Sequence, residues 1–211
     1  MRKWWIAWCA TLMLTGCSTF ADYYAASRLV NEMNPLVQQD AAYLSLMKQF
    51  QHLQQQQNQL EDALTGTNKP NVKKAIAVLN LIDRQSHLMQ QAAKINQRAW
   101  EKLPEIKRLA ADIDRKEPRA WARKVTTLWD TRLKLRIQAV NLIQRLLQQE
   151  KAYFAQLQQG KRPVQGPDST LSDRYEQLTQ QLNDQTMAFN QAWTTFNYLT
   201  TAKPVASRKS Q

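Results

Sequence analysis

Cys17 carries the sharpest chemistry in this chain of 211 residues. A thiol can act as a nucleophile, close a disulfide or accept a covalent group, and here it stands in "LMLTGCST" behind an apolar start that holds the other cysteine, Cys9. His52 and His87 are the only histidines, and neither has a carboxylate four residues after it, the spacing that would set two ligands on one helical face. Asp112 and Asp114 lie two apart, a separation that does not share a helix face. Neither a G-x-S-x-G elbow nor a phosphate-cradling glycine loop occurs. These absences lead to the expectation of no enzyme activity, no metal and no cofactor. The basic cluster Arg115, Lys116, Arg119, Arg123 and Lys124 suits an anion: anionic lipid or an acidic partner. It also breaks the helix-dipole preference for acids at a helix start. Trp100, Trp121, Trp129 and Trp193 fit either a bundle core or an aromatic lining for an apolar ligand.

The segment that presents Cys17 has three parts. Arg2 and Lys3 are positive, Trp4 to Leu14 are apolar, and Thr15 and Gly16 are small, which is a secretory signal layout over residues 1–16. As a helix that apolar run reaches roughly 16 Å against a hydrocarbon core of about 30 Å, so it does not span. A free cysteine beside an ordinary cleavage site is one reading of Cys17.

Leu14-Thr15-Gly16-Cys17 resembles the lipobox of bacterial lipoproteins: a branched apolar residue, two small ones, then cysteine. The resemblance implies that Cys17 receives a diacylglyceryl group, becomes the first residue after cleavage and is N-acylated. Several acyl chains exceed what stable membrane attachment needs. In that family an aspartate after the cysteine retains the protein at the inner membrane. Ser18 stands there instead, which implies the periplasmic face of an outer membrane. Phe20, Tyr23 and Tyr24 are placed to rest among lipid headgroups or to pack on the folded domain.

Charge narrows the partners. The formal balance is +12, and +10 once Arg2 and Lys3 are removed. An exported basic chain meets anionic lipid, acidic glycan or acidic proteins, and nucleic acid is not expected in that compartment. With Cys17 modified, no disulfide framework remains, so packing must supply stability. The four glycines fall in the start segment and in two turn regions, and the long Gln, Leu, Ala, Lys and Arg stretches between them favour helix.

The pattern predicts an all-α, elongated antiparallel bundle of about four long helices behind a lipidated tether. Residues 17–33 read as the tether with a possible short helix, 34–201 as the bundle, and 202–211 as a basic disordered tail containing Arg208 and Lys209. Asn34-Pro35 reads as a helix start. Leu36, Gln39, Tyr43, Leu46, Phe50, Leu53, Gln57, Leu60 and Leu64 then follow steps of three and four, with Gln57 a polar seam position able to fix register. Gly66 and Pro70 end that helix. A second runs from about Asn71 to Trp100 with Val72, Ile76, Leu79, Ile82, Met89 and Ile95 near one face. Pro104 either kinks it or opens a separate piece to Lys116.

The longest helix follows Glu117-Pro118 and carries two apolar seams. One runs through Trp121, Val125, Leu128, Leu135, Ala139, Leu142 and Leu146, the other through Trp129, Leu133, Val140, Ile143, Leu147, Phe154 and Leu157. After "QGKRPVQGPDS", Thr170-x-x-Asp173 resembles a capping box, and Leu171 to Leu199 form the last seam. Within it "AFNQAWTT", residues 188–195, resembles the carboxyl-terminal stretch of a family of small uncharacterised enterobacterial lipoproteins. The reading that follows is a non-enzymatic, lipid-anchored periplasmic scaffold or adaptor for another envelope component. Its alternative is a binding module for a small apolar ligand or lipid between the helices.

Overall fold

The computed structural model describes residues 4–65, 71–161, 163, 166 and 168–201, with the side chains of residues 4–22 and 63–65 outside the description. Four helices occur among the described residues: α1 (Trp4–Thr65), α2 (Val72–Ala111), α3 (Lys116–Gln158) and α4 (Ser169–Thr201). No strand occurs among the described residues. The protein is therefore an all-α helical bundle of long helices. The expected turn at Gly66 and Pro70 and the expected basic tail at 202–211 lie outside the described residues, as does the side chain of Cys17.

Pro35, which reads as a helix start, and Pro104, which reads as either a kink or a start, both sit inside helices, α1 and α2. Each removes one backbone donor and crowds the preceding turn, at about 3 kcal/mol. Around Pro35 the chain buries Ala26, Leu29, Met33 and Leu36, and around Pro104 it buries Leu103, Ile106 and Leu109. Fully burying one Leu or Met side chain stabilises by about 1.5–3 kcal/mol, so two of them outweigh the proline. Residues 23–33, expected to be tether, are accordingly a helical part of the packed protein, whereas Tyr23 and Tyr24 remain 60% and 66% exposed.

Local chemistry fixes the other ends. Asn71 caps α2, its Oδ1 accepting from the Lys74 backbone N–H at 3.1 Å. Gly160 has φ 72°, and the Lys161 and Gly160 amides donate to the Gln156 and Leu157 carbonyls at 3.0 Å, a Schellman ending for α3. At α4 the cap is Asp168, two residues ahead of the expected Thr170: its Oδ1 accepts from the Thr170 backbone and hydroxyl at 2.9 and 2.8 Å.

The chain packs as two units, and each helix supplies a segment to both. Unit 1 comprises residues 1–37, 101–132 and 184–211; unit 2 comprises 38–100 and 133–183. In unit 1, Leu29 and Met33 of α1, Ile106 and Leu109 of α2, Val125 and Trp129 of α3, and Phe189 and Phe196 of α4 are buried. In unit 2 the buried core is Tyr43, Phe50 and Leu53 of α1, Val78, Ile82 and Met89 of α2, and Val140, Ile143, Leu147 and Phe154 of α3. Tyr175 of α4 packs against that core and is partly buried, and Leu171 of α4 is buried.

The seams of α1 and α4 lie where the periodicity places them. In α3, the seam through Trp129, Val140 and Phe154 is buried nearly throughout, and the other mixes buried Val125, Ala139 and Leu142 with half-buried Trp121, Leu128, Leu135 and Leu146. The face of α2 differs: Val72 and Ile76 are each 41% exposed, and the buried line runs through Ala75, Val78, Ile82, Gln85, Met89, Ala92, Asn96 and Ala99. Small alanines let neighbouring helices approach closely, and two buried amides interrupt the apolar pattern on this face.

Candidate functional site

Unit 2 carries two grooves that flank one ridge of α3. The first, about 460 Å³, lies between α2 and α3 and is lined by Ala93, Ile137 and Val140 with the polar Asn96, Gln138 and Asn141. Trp100, 43% exposed, and the exposed Lys134 complete its rim. The second, about 380 Å³, lies between α3 and α4; Gln138 and Asn141 line it too, together with Arg145, Arg174, Gln177 and Gln181. Gln138 and Asn141 are one helical turn apart on α3, so both face the same strip of solvent. No Asp or Glu lines either groove among the described residues.

Asn96 is 1% exposed, and neither its Oδ1 nor its Nδ2 has a hydrogen-bond partner among the described residues. An amide buried without partners costs about 1–3 kcal/mol relative to a satisfied one. It is the one polar side chain of the first groove that is fully buried. Sequence reasoning missed it because a polar residue was not admitted to the α2 seam.

A second polar centre of unit 2 gathers two carboxylates on one amide. Gln57 is 2% exposed and donates from Nε2 to Glu61 Oε1 at 2.7 Å and to Glu150 Oε2 at 3.0 Å. Burial pushes both acids above the ordinary carboxylate range; the Gln57 hydrogen bond opposes this, and for Glu150 the neighbouring Glu61 charge adds to the rise. Gln57 thus joins α1 to α3, as a polar seam position able to set register would. Glu150 is far from Gln57 in sequence, and nothing local announced it.

His52 and His87 also meet, lining one groove of about 530 Å³ with Gln49, Asp83 and Arg84. Asp83 stands one turn before His87 but is held by Lys151 Nζ at 2.6 Å. No group of three metal-ligating side chains forms among the described residues.

Unit 1 positions the basic cluster. Its connector, residues 112–115, is closed by Arg119, which donates from Nε to the Ile113 carbonyl and pairs through its other end with Asp114 at 3.0 Å. Arg119 thereby serves the fold of the connector. Arg115, Lys116, Arg123 and Lys124 are exposed, with Lys124 Nζ 4.7 Å from the centroid of the Trp121 ring. Lys102 meets Glu32 at 3.3 Å, and α1 and α2 run in opposite directions here. Moving back along α1 to Tyr23 therefore moves forward along α2 to Ala111, which brings the start of the described α1 side chains and the cluster to the same end of unit 1.

The tryptophans divide. Trp129 is 1% exposed and Trp193 9%, stacked with Phe189 in the unit 1 core, so they are packing residues. Trp121 is half-buried, and Trp100 faces the first groove. The string 188–195 lies in α4, where Phe189, Ala192 and Trp193 form its buried face. Among the described residues no helix is long and apolar enough to cross a membrane.

No curated protein and no solved structure matches the chain. A family does: residues 24–202 match the YkyA family, whose description reads "Putative cell-wall binding lipoprotein". That span takes in the described part of both units, and the chain belongs to this family of lipoproteins.

Proposed function

We propose that this protein is a non-enzymatic, lipid-anchored scaffold of the cell envelope whose helical bundle binds cell-wall polymer and so ties the wall to a membrane. The observation that carries the reading is the family match over residues 24–202, a family described as cell-wall binding. The adaptor's partner is then the wall itself. A formal balance of +12 suits an acidic polymer. The anchor is a diacylglyceryl and N-acyl modification of Cys17, and Ser18 together with the resemblance of residues 188–195 supports the periplasmic face of an outer membrane. Arg115, Lys116, Arg123 and Lys124, at the anchor end of unit 1, supply a contact with anionic lipid.

The deciding experiment is co-sedimentation of the detergent-purified full chain with purified wall sacculi at low and high salt. Pelleting that salt weakens is expected; a chain that stays in the supernatant at low salt refutes the reading. Labelled palmitate should enter the wild type and not Cys17→Ala. A second reading, a site for a small apolar ligand, draws on Ala93, Ile137, Val140 and Trp100 in the first groove. Native mass spectrometry would then show a co-purifying ligand lost on Trp100→Ala.

A further inference from the structure

We propose that the two grooves flanking α3 of unit 2 are one binding site for an anionic glycan strand built of N-acylated amino sugars. The inference rests on the wall-binding reading and names the residues and the chemistry that would perform it. Three observations converge on this ligand. Trp100 leaves 43% of its surface exposed at the first groove, and an indole face carries the negative side of its quadrupole outward. The partly positive C–H face of a pyranose ring is its natural complement, whereas a lipid chain has no such flat face.

The polar lining consists of amides. Gln138 and Asn141 serve both grooves, Gln177 and Gln181 the second, and Asn96 lies under the first with neither polar atom partnered among the described residues. An amide side chain offers two donors and an acceptor in one plane, which matches an acetamido group, itself a donor and an acceptor, as well as sugar hydroxyls. A ligand that reaches Asn96 gives both of its atoms partners.

Charge sets the third condition. Lys134 on the first groove and Arg145 and Arg174 on the second are exposed, and no carboxylate lines either groove among the described residues. Carboxylates borne by the sugars meet cations on both sides of the ridge. The shared residues Gln138 and Asn141 make the two grooves contiguous, so successive sugars of one strand occupy them in turn. A single small molecule would fill one groove and leave the other without a role.

The test uses the detergent-purified full chain, a soluble oligosaccharide of alternating N-acetylglucosamine and N-acetylmuramic acid, and wall sacculi. Wild type should bind both. Trp100→Ala should raise the Kd for the oligosaccharide by about tenfold, and Trp100→Phe should keep most of the affinity because a ring face remains. Arg145→Glu with Arg174→Glu should weaken binding and flatten its salt dependence. All these side chains are exposed, so unchanged melting curves accompany the losses. If wild type pellets with sacculi while the Trp100 and arginine variants bind as tightly, the site is overturned and the wall-binding function stands. If wild type ignores sacculi, both fall. If anionic phospholipid vesicles bind through Trp100 and the arginines while the oligosaccharide does not, the surface is a lipid site and the glycan proposal is overturned.

Discussion

The same four helices build two unlike cores. In unit 1, α4 delivers Phe189, Trp193 and Phe196 to the interior, the first two stacked with ring centroids 6.2 Å apart, and Trp129 meets Phe189 at 5.2 Å. In unit 2, Leu171 of α4 is buried, Leu178 and Leu182 are half-buried, and the main core cluster is drawn from α1, α2 and α3. In one region α4 brings large rings to the interior; in the other, Tyr43, Phe50 and Phe154 sit among aliphatic side chains of the other three helices, and α4 adds the partly buried Tyr175. What α4 leaves open in unit 2 is the groove it borders. The binding surface proposed here is thus the consequence of an incompletely closed bundle, and unit 1 is free to provide stability.

The two buried arginines of α3 repeat the contrast. Arg136 in unit 2 pairs with Asp40 at 2.5 Å and stacks on Tyr43 at 3.8 Å to the ring centroid. Arg132 in unit 1 donates to the Thr186 hydroxyl at 3.0 Å and lies over Trp129 and Phe189 at 5.5 and 5.4 Å. Arg136 thus has a carboxylate and a ring beside it, and Arg132 a hydroxyl and two rings. Cation–π contact is worth about 0.5–2 kcal/mol, and at Arg132 it is spread over two rings.

The comparison breaks first on α4. Phe189→Ala should destabilise by about 4 kcal/mol, the cost of a large cavity, whereas Leu178→Ala should cost about 1 kcal/mol because its site is already open to water. Urea denaturation measures both, and equal losses would mean that α4 packs alike in the two units. Next comes the ion pair. Asp40→Ala leaves Arg136 charged and buried and should cost about 3 kcal/mol, while Asp40→Leu with Arg136→Met should come within about 1 kcal/mol of wild type. Smaller again, Thr186→Val should cost about 1 kcal/mol, since the rings still hold Arg132. A Thr186 loss as large as that of Asp40 would erase the distinction between the two arginines.

How far these regions were legible follows from how each residue enters its seam. Steps of three and four located the faces of α1 and α4, and they admitted Gln57 as polar because leucines on either side kept the phase. On α2 the same rule holds at Ile82 and Met89 and fails elsewhere: the buried line from Ala75 to Ala99 also takes in Ala92, Gln85 and Asn96, which hydrophobicity does not mark, while Val72 and Ile76 are exposed. Pro35 misled in the opposite direction, because a local rule about backbone donors was not weighed against the burial of Leu29 and Met33 beside it, and Pro104, where the rule left two outcomes, lies within α2 beside buried Ile106. Of the site, Trp100 was visible as a residue but not as the one exposed tryptophan of the four, and Gln138 and Asn141 looked like ordinary solvated positions. Grooves are set by what a neighbouring helix leaves unfilled, and the spacing along one helix does not contain that. The basic cluster was visible in full, yet the role of Arg119 depends on the path of the connector after Ile113.

The smallest effect separates the units by pH. Glu61 and Glu150 of unit 2 have folded-state pKa values raised above the ordinary 4.5, chiefly by burial. Above 4.5 the unfolded chain has released these protons while the folded chain still holds them, so stability falls as pH rises from 4.5 through the folded values. Asp168 acts oppositely. Its pKa is lowered from 3.8, first by the Thr170 hydroxyl and then by the Thr170 amide, so its contribution is present above 3.8 and is lost as pH falls through the folded value. The two windows do not overlap, and each can be removed alone. Glu150→Gln should flatten the decline above pH 4.5 by less than about 1 kcal/mol while leaving the acid side as it was. Asp168→Asn should do the reverse, keeping a cap without a titrating group. Melting temperatures read between pH 3 and pH 8 decide it: a Glu150→Gln variant with an unchanged slope above 4.5 would show that Glu150 carries none of the decline.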